Sequence, residues 1–210
     1  MLSSGGGGRG GQGDERKTGW LTHERFYWHD SGNEGNVACV QPRLSSESPE
    51  TKRRFANLVA VSPLADVLVP LRPRPATDEE LLRVHTPAYV ARVKACGSGG
   101  GGYLDHELHM GPDGHVICAL SAGGVLAAME AVLAGTVDNA YALVRPPGHH
   151  AEADRGHGFC VYDNVSHGAR THFAAWTATH AHPAAPPGCG RRRGCARAAA
   201  QPPPRRDRGH

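Results

Sequence analysis

The chain has 210 residues, which at roughly 150 residues per domain suggests one domain or one and a fragment. Leu, Ile, Val and Phe total 36 residues, or 17%, and 34 of them fall between Trp20 and Val165, where they reach 23%, so the flanks cannot bury a core. Residues 1–164 carry 15 Lys+Arg against 19 Asp+Glu, and residues 165–210 carry 8 Arg against one acid; the net +3 belongs to the C-terminal stretch, and a basic nucleic-acid-binding domain is not expected.

Residues 1–19 are rich in glycine, which loses the most backbone entropy on ordering and offers no side chain to bury, so they should be flexible. A start codon set too far upstream would explain them equally well. They hold no apolar signal-peptide stretch, and no run approaches the ~18 apolar residues of a membrane span, so no membrane partner is expected. Cys39, Cys96, Cys118, Cys160, Cys189 and Cys195 show no CxxC spacing and read as reduced thiols, with the cytoplasm as the default location. Folded structure is expected from about Trp20 to Val165.

From Ser48 the pattern turns helical. Ser48 reads as an N-cap with Pro49 at the first helical position, Phe55, Leu58, Val59 and Ser62 share one face, and Pro63 closes the helix. Val67 to Leu71 reads as a short buried strand. Thr77-Asp78-Glu79-Glu80 is a capping box for a helix through Val84. His85-Thr86-Pro87 breaks it, and Ala88 to Cys96 forms the next helix, with Tyr89, Val90 and Val93 on one side. Residues 97–102 and 106–114 read as loops, and Val116 to Ala134 as a tightly packed helix rich in small residues. Ala140 to Val144 is a second short strand. Helices alternating with short apolar strands imply parallel pairing, hence an α/β sandwich with chemistry at the strands' C-terminal ends. Residues 166–210 are clusters of Ala, Pro, Arg, Gly and His that read as disordered.

The second strand runs directly into Arg145-Pro146-Pro147-Gly148-His149-His150, followed by His157-Gly158-Phe159-Cys160. Pro-Pro stiffens the turn, Gly148 lets the backbone approach a ligand, and two adjacent imidazoles sit where α/β folds place catalysis. One can move a proton while the other holds charge or orients water. From the residues alone, two loop histidines bonded to backbone remain an open alternative.

Several stretches together resemble the zinc-dependent histone deacetylase family, within the arginase/deacetylase fold. They are Thr18-Gly-Trp-Leu with Tyr27-Trp-His-Asp30, Ser48 to Phe55, Leu81 to Thr86, Ser121 to Gly124 and, above all, Val144 to Asn164. The likeness is greatest to bacterial class II-like members and acetylpolyamine amidohydrolases. It covers about 70% of this chain but only the N-terminal part of a family domain. The resemblance implies a three-layer α/β sandwich with a parallel sheet. It also implies zinc as cofactor and an acetylated lysine or acetylated polyamine as substrate. By the same resemblance His149 is the electrostatic partner, His150 the general base that activates water, and Gly158 and Phe159 line a narrow substrate tunnel; Cys160 is packing. A homo-oligomer is compatible with this reading.

The chain departs from the family at His157, where relatives carry an apolar residue, and at Tyr162-Asp163-Asn164. After Val165 nothing matches the segments that bring the family's zinc ligands, and Asp207 is the sole acid there. The expectation is a domain truncated after about residue 165, with a tail of the kind a shifted reading frame would give, inactive by itself. The alternative is a non-catalytic deacetylase-derived fragment acting as a binding module. Elsewhere, His180, His182, Cys189 and Cys195 fit no compact zinc finger, and the arginines at 191–193 and 205–206 read as solvated rather than as phosphate contacts. His106 and His109, beside Asp105, read as surface residues rather than a substrate rim.

Overall fold

The computed structural model describes residues 16–32, 47–105 and 108–170. At its centre is β1 (Thr18–Leu21), a strand of four residues flanked on both sides by parallel neighbours: β2 (Val69–Leu71) on one edge and β5 (Asn139–Ala142) on the other. Trp20 stands level with Pro70 and Tyr141. Gly19 allows this close approach, because a Cβ there would lie 2.6 Å from Leu71 Cδ1 and 3.1 Å from the Ala140 Cβ. Pro70, which cannot donate to a ladder, sits on the edge strand, as expected for its missing N–H.

Side chains alternate across the sheet. Leu21, Leu71, Ala140 and Ala142 pack with Phe26, Tyr27, Leu120 and Ala128 on the side of α5 (Gly114–Leu133). Trp20 and Tyr141 face the other way and meet Phe55 of α1 (Pro49–Val61), the three ring centroids lying 5.7 to 5.8 Å apart. The described part of the chain is therefore layered helix, parallel sheet, helix. A second core gathers Leu81, Tyr89, Val90, Val93, Leu108, Met110, Cys118, Leu126, Val161 and Tyr162 around α4 (Pro87–Ser98) and the opposite side of α5.

Two caps follow the sequence signals: Ser48 accepts from the Glu50 amide, and Thr77 and Glu80 form a reciprocal capping box at α3 (Asp78–Leu81). Thr86, expected only as part of a break, caps α4, which starts at Pro87 rather than Ala88. α5 crosses the 74–76 segment so closely that a Cβ on Gly123 would stand 1.9 Å from the Arg74 carbonyl oxygen, and the Ala76 amide donates to the Ala119 carbonyl at 2.8 Å.

Several expectations need correction. Pro63 begins a further helical turn, α2 (Leu64–Val67), so Val67 is helical and 67% exposed, and the strand shrinks to three residues on a sheet edge. Of the expected core face of α1 only Val59 is buried; Phe55 touches the sheet with its ring while Leu58 is 62% exposed. Regular helix stops at Leu81 rather than Val84. The expected loops at 97–102 and 106–114 give way in part to a small antiparallel pair, β3 (Gly102–Tyr103) with β4 (His109–Met110). Contrary to the expectation that no stretch approaches a membrane span, α5 is long and apolar enough to cross a membrane by length and composition. Half of that stretch is buried against the sheet and α4. Finally, residues 164–170 are helical and carry fully buried His167 past the boundary expected at Val165.

Candidate active site

Beyond Ala142 the chain leaves the sheet at its C-terminal end, and its next residues are clamped from below. Arg145 is 1% exposed. Its guanidinium donates to the His29 carbonyl, to Ser31 Oγ at 3.1 Å and to the Glu47 carbonyl at 3.0 Å, with Nε 3.4 Å from Glu47 Oε1. A planar, always-charged fork with several donors suits such a junction of three chain segments. The following peptide, Arg145–Pro146, is cis.

The Pro146 carbonyl accepts two buried hydrogen bonds, from Ser121 Oγ at 2.8 Å and Asn164 Nδ2 at 3.1 Å, and Asn164 Nδ2 also reaches Ser121 Oγ at 3.1 Å. Gly148 lies directly on this network: a Cβ would be 2.4 Å from the Asn164 amide nitrogen and 2.5 Å from the Tyr162 carbonyl oxygen. The glycine is required by backbone approaching backbone, not by a ligand as its place in the motif suggested. A loop fixed this firmly holds its next residues at a defined height above the sheet.

Those residues are the histidine pair. His149 and His150 are exposed, with ring centroids 4.1 Å apart at 51°. The chain then returns in a tight turn in which His157 and Cys160 exchange backbone hydrogen bonds at 3.1 and 2.9 Å. Gly158 and Phe159 occupy its corner with φ of +49° and +69°. Left-handed backbone is costly for a phenylalanine, and Phe159, half-buried, adopts it here. A Cβ on Gly158 would stand 3.1 Å from His150 Cδ2, so the glycine leaves that imidazole room. The structure thus brings His149, His150 and Gly158 together with Phe159 in the same turn. It adds His157, whose ring lies edge-on to His150 with centroids 5.9 Å apart. The Cys160 thiol is fully buried and burial pushes its pKa up, which suits packing and not attack.

Sequence reasoning missed the support beneath this pair. Arg145 and Ser121 both stand in stretches that resemble the family, but nothing local announces that they serve the same loop from 24 residues apart. Asn164 looked like part of a departure from pattern and proves to be the keystone of the Pro146 network. His109, read as a surface residue, is largely buried; its Nδ1 is 3.9 Å from Asp30 Oδ1 and its ring meets Tyr103 edge-on. His106, His180, His182, Cys189, Cys195, Asp207 and the arginine clusters of the tail lie outside the described residues.

A zinc centre needs about three protein ligands and an open position. Among the described residues no three His, Cys, Asp or Glu side chains converge where they could hold a metal. The described residues alone do not fit zinc.

Comparison with known proteins gives a consistent answer. The histone deacetylase domain profile matches residues 45–180. Over 158 residues the chain is 44% identical to a histone deacetylase-like amidohydrolase of Pseudomonas aeruginosa, covering 72% of this chain and 42% of that protein. Over 106 residues it is 40% identical to the polyamine deacetylase HDAC10 of Rattus norvegicus, covering 45% of this chain and 17% of that one. The fold is similar to the crystal structure of the HDA15 HD domain, with a TM-score of 0.65 and 28% identity over 76% of this chain and 44% of that one. The chain thus spans less than half the length of each of these relatives.

Proposed function

The chain belongs to the histone deacetylase family, and from that premise we propose that it carries the proton-transfer half of a deacetylase site, one that hydrolyses the N-acetyl amide of a lysine or a polyamine. The observation that carries this is the His149–His150 pair: two exposed imidazoles in contact, at the C-terminal end of a parallel sheet, on a loop anchored by Arg145, Ser121 and Asn164.

In this reading His150 takes the proton from a water as its oxygen adds to the acetyl carbon. The carbon–nitrogen bond then breaks, the proton passes to the leaving amine, and acetate remains. His149, in ring contact with His150, stabilises the imidazolium that forms. Phe159 offers a flat apolar wall that grips an alkyl stem without bonding its polar atoms. The family generally uses zinc, whose chemistry is to lower the pKa of a bound water and polarise the amide carbonyl. Since the described residues do not gather a ligand set, no step is routed through it, and the 210-residue chain by itself is expected to be inactive. The free thiols Cys96, Cys118 and Cys160 support a reducing, cytoplasmic setting.

The test is a chimera joining residues 1–164 to the remainder of the Pseudomonas aeruginosa relative, assayed with an acetyl-lysine peptide and an acetylated polyamine beside the unmodified chain. Turnover by the chimera and none by the chain alone is expected. A chimera that unfolds cooperatively yet turns over neither substrate would overturn the catalytic reading. The absence of a converging ligand set among the described residues favours one second reading, a non-catalytic binding fragment, which that same outcome would select.

A further inference from the structure

His85 takes no part in the proton transfer assigned to His149 and His150, yet it is built into the loop that carries them. It is 2% exposed and stands between α3 and the Thr86 cap of α4. The Asp163 amide donates to its Nε2 at 3.0 Å. A ring nitrogen accepts only when it carries no proton, so this bond sets His85 as a neutral imidazole with its hydrogen on Nδ1. Burial also favours the neutral ring, against the backbone of Glu152 and of Ala153, which favours the charged one.

The surroundings turn this single bond into a clamp. The next residue, Thr86, donates its amide to the Ala153 carbonyl at 2.8 Å. Consecutive residues therefore hold both legs of the loop, the outgoing leg just beyond His150 and the returning leg beside Asn164. One turn along α4, Tyr89 Oη donates to the Val161 carbonyl at 2.7 Å, and a Cβ on Gly156 would stand 2.6 Å from that same oxygen. The His85 ring has little room to turn, with its centroid 5.2 Å from that of Tyr89, 5.3 Å from Tyr162 and 5.1 Å from His167. Between the two clamped legs lies the turn of His157, Gly158 and Phe159, where Gly158 abuts the His150 ring. His149 and His150 follow directly on the Pro146 network and are anchored there by Arg145, Ser121 and Asn164.

We propose that His85 is a positioning residue of this site: as a neutral Nδ1–H imidazole it ties Asp163 to the 85–86 segment, which also holds Ala153, and so fixes where Gly158 and Phe159 stand against His150. This deepens the deacetylase reading and rests on it for the kinetic consequence alone; the clamp is a property of the chain itself. Because His150 has its own anchor, loss of His85 displaces the residue that grips an alkyl stem more than the group that moves the proton.

The experiment records imidazole nitrogen spectra and amide hydrogen exchange of the full 210-residue chain at pH 7.5, with His85→Phe and His85→Gln beside it. Phenylalanine keeps a ring and removes the acceptor, whereas glutamine can place an amide oxygen where Nε2 stands. His85 is expected as the Nδ1-protonated tautomer. In His85→Phe the amides of His157, Cys160 and Asp163 should exchange about tenfold faster relative to those of Val93 and Leu126, as for one lost buried hydrogen bond. In His85→Gln the same ratio should stay within about threefold of the unsubstituted chain. In a chimera joining residues 1–164 to the remainder of the Pseudomonas aeruginosa relative, His85→Phe should raise KM about tenfold with a smaller fall in kcat, and His85→Gln should restore KM. A charged or Nε2-protonated His85 would overturn the proposal, and that reading needs no variant to fold. So would a rise in exchange no greater in the loop than at Val93 and Leu126, which would mark His85 as a general stabiliser of the core, or a glutamine variant as loose as the phenylalanine one. A chimera inactive with His85 in place removes the catalytic reading, while exchange in the full chain still decides the clamp. An active chimera whose KM is indifferent to His85→Phe overturns the positioning role and leaves His150 as the base.

Discussion

Acidification should dismantle this fold through histidines that are buried in their neutral form. His167 is fully buried with Nδ1 3.0 Å from the Glu80 carbonyl, and burial, then nearby His85, push its pKa down to about 4. His29 is pushed down to about 3 by burial and then by the Arg145 charge. In the unfolded chain both return to a value of about 6.5. The stability tied to their neutral forms is therefore complete above pH 6.5 and is lost as the pH falls from 6.5 toward 4 for His167 and toward 3 for His29. Each histidine contributes a slope of about 1.4 kcal/mol per pH unit in that window, so each costs about 2.5 kcal/mol by pH 4.5. Together they remove about 5 kcal/mol from a fold whose whole stability is of the order of 5–15 kcal/mol. His85, whose pKa burial also lowers, acts in the same direction. Glu80 is held at about 2, chiefly by its hydrogen bonds with Arg74, and contributes stability that is lost only below about pH 4.5. Urea unfolding at pH 7.5, 6.5, 5.5 and 4.5 measures the slope. His167→Gln, which keeps a donor for the Glu80 carbonyl but does not titrate, should reduce that slope by about 1.4 kcal/mol per pH unit. Equal slopes in the two proteins would refute the reasoning.

Arg145→Met should cost about 3 kcal/mol, because it removes the donor to the buried His29 and Glu47 carbonyls and one of the two cations beside the Glu47 carboxylate, Lys52 Nζ remaining 2.8 Å from it. A loss below about 1 kcal/mol in urea unfolding would show the cluster to be loosely solvated instead. Gly123→Ala forces a Cβ onto the Arg74 carbonyl oxygen, and overpacking against backbone of this kind should cost about 3 kcal/mol or more. A thermal midpoint unchanged by Gly123→Ala would mean that α5 and the 74–76 segment are not in backbone contact.

Two caps were legible because their signals are local: Ser48 before Pro49 and the Thr77–Glu80 box each satisfy orphan amides within one turn, and the structure shows both. Thr86 before Pro87 read only as a break between helices, and proves to cap α4. β1 was not legible as the central strand. Thr-Gly-Trp-Leu is short, its glycine argues against a strand, and its role comes from neighbours about 50 and 120 residues away in sequence. The helix over 164–170 escaped for a similar reason. His167 and Gly168 carry no apolar pattern, yet His167 is held by Glu80 and a Cβ on Gly168 would stand 2.1 Å from Met129 Sδ. At the site, the motif from Arg145 to Cys160 revealed which residues stand out, but not what holds them. The Ser121, Pro146 and Asn164 bonds join three distant segments, and such bonds leave no trace in spacing.

The most direct measurement is steady-state kinetics of the chimera that joins residues 1–164 to the remainder of the Pseudomonas aeruginosa relative, with His150→Ala and His149→Ala tested beside it on an acetyl-lysine peptide. Loss of a positioned general base predicts that His150→Ala lowers kcat by about 10²–10⁴-fold with KM little changed, and that His149→Ala gives a smaller fall. A His150→Ala chimera within about threefold of the unsubstituted kcat would contradict the assignment of proton transfer to this loop.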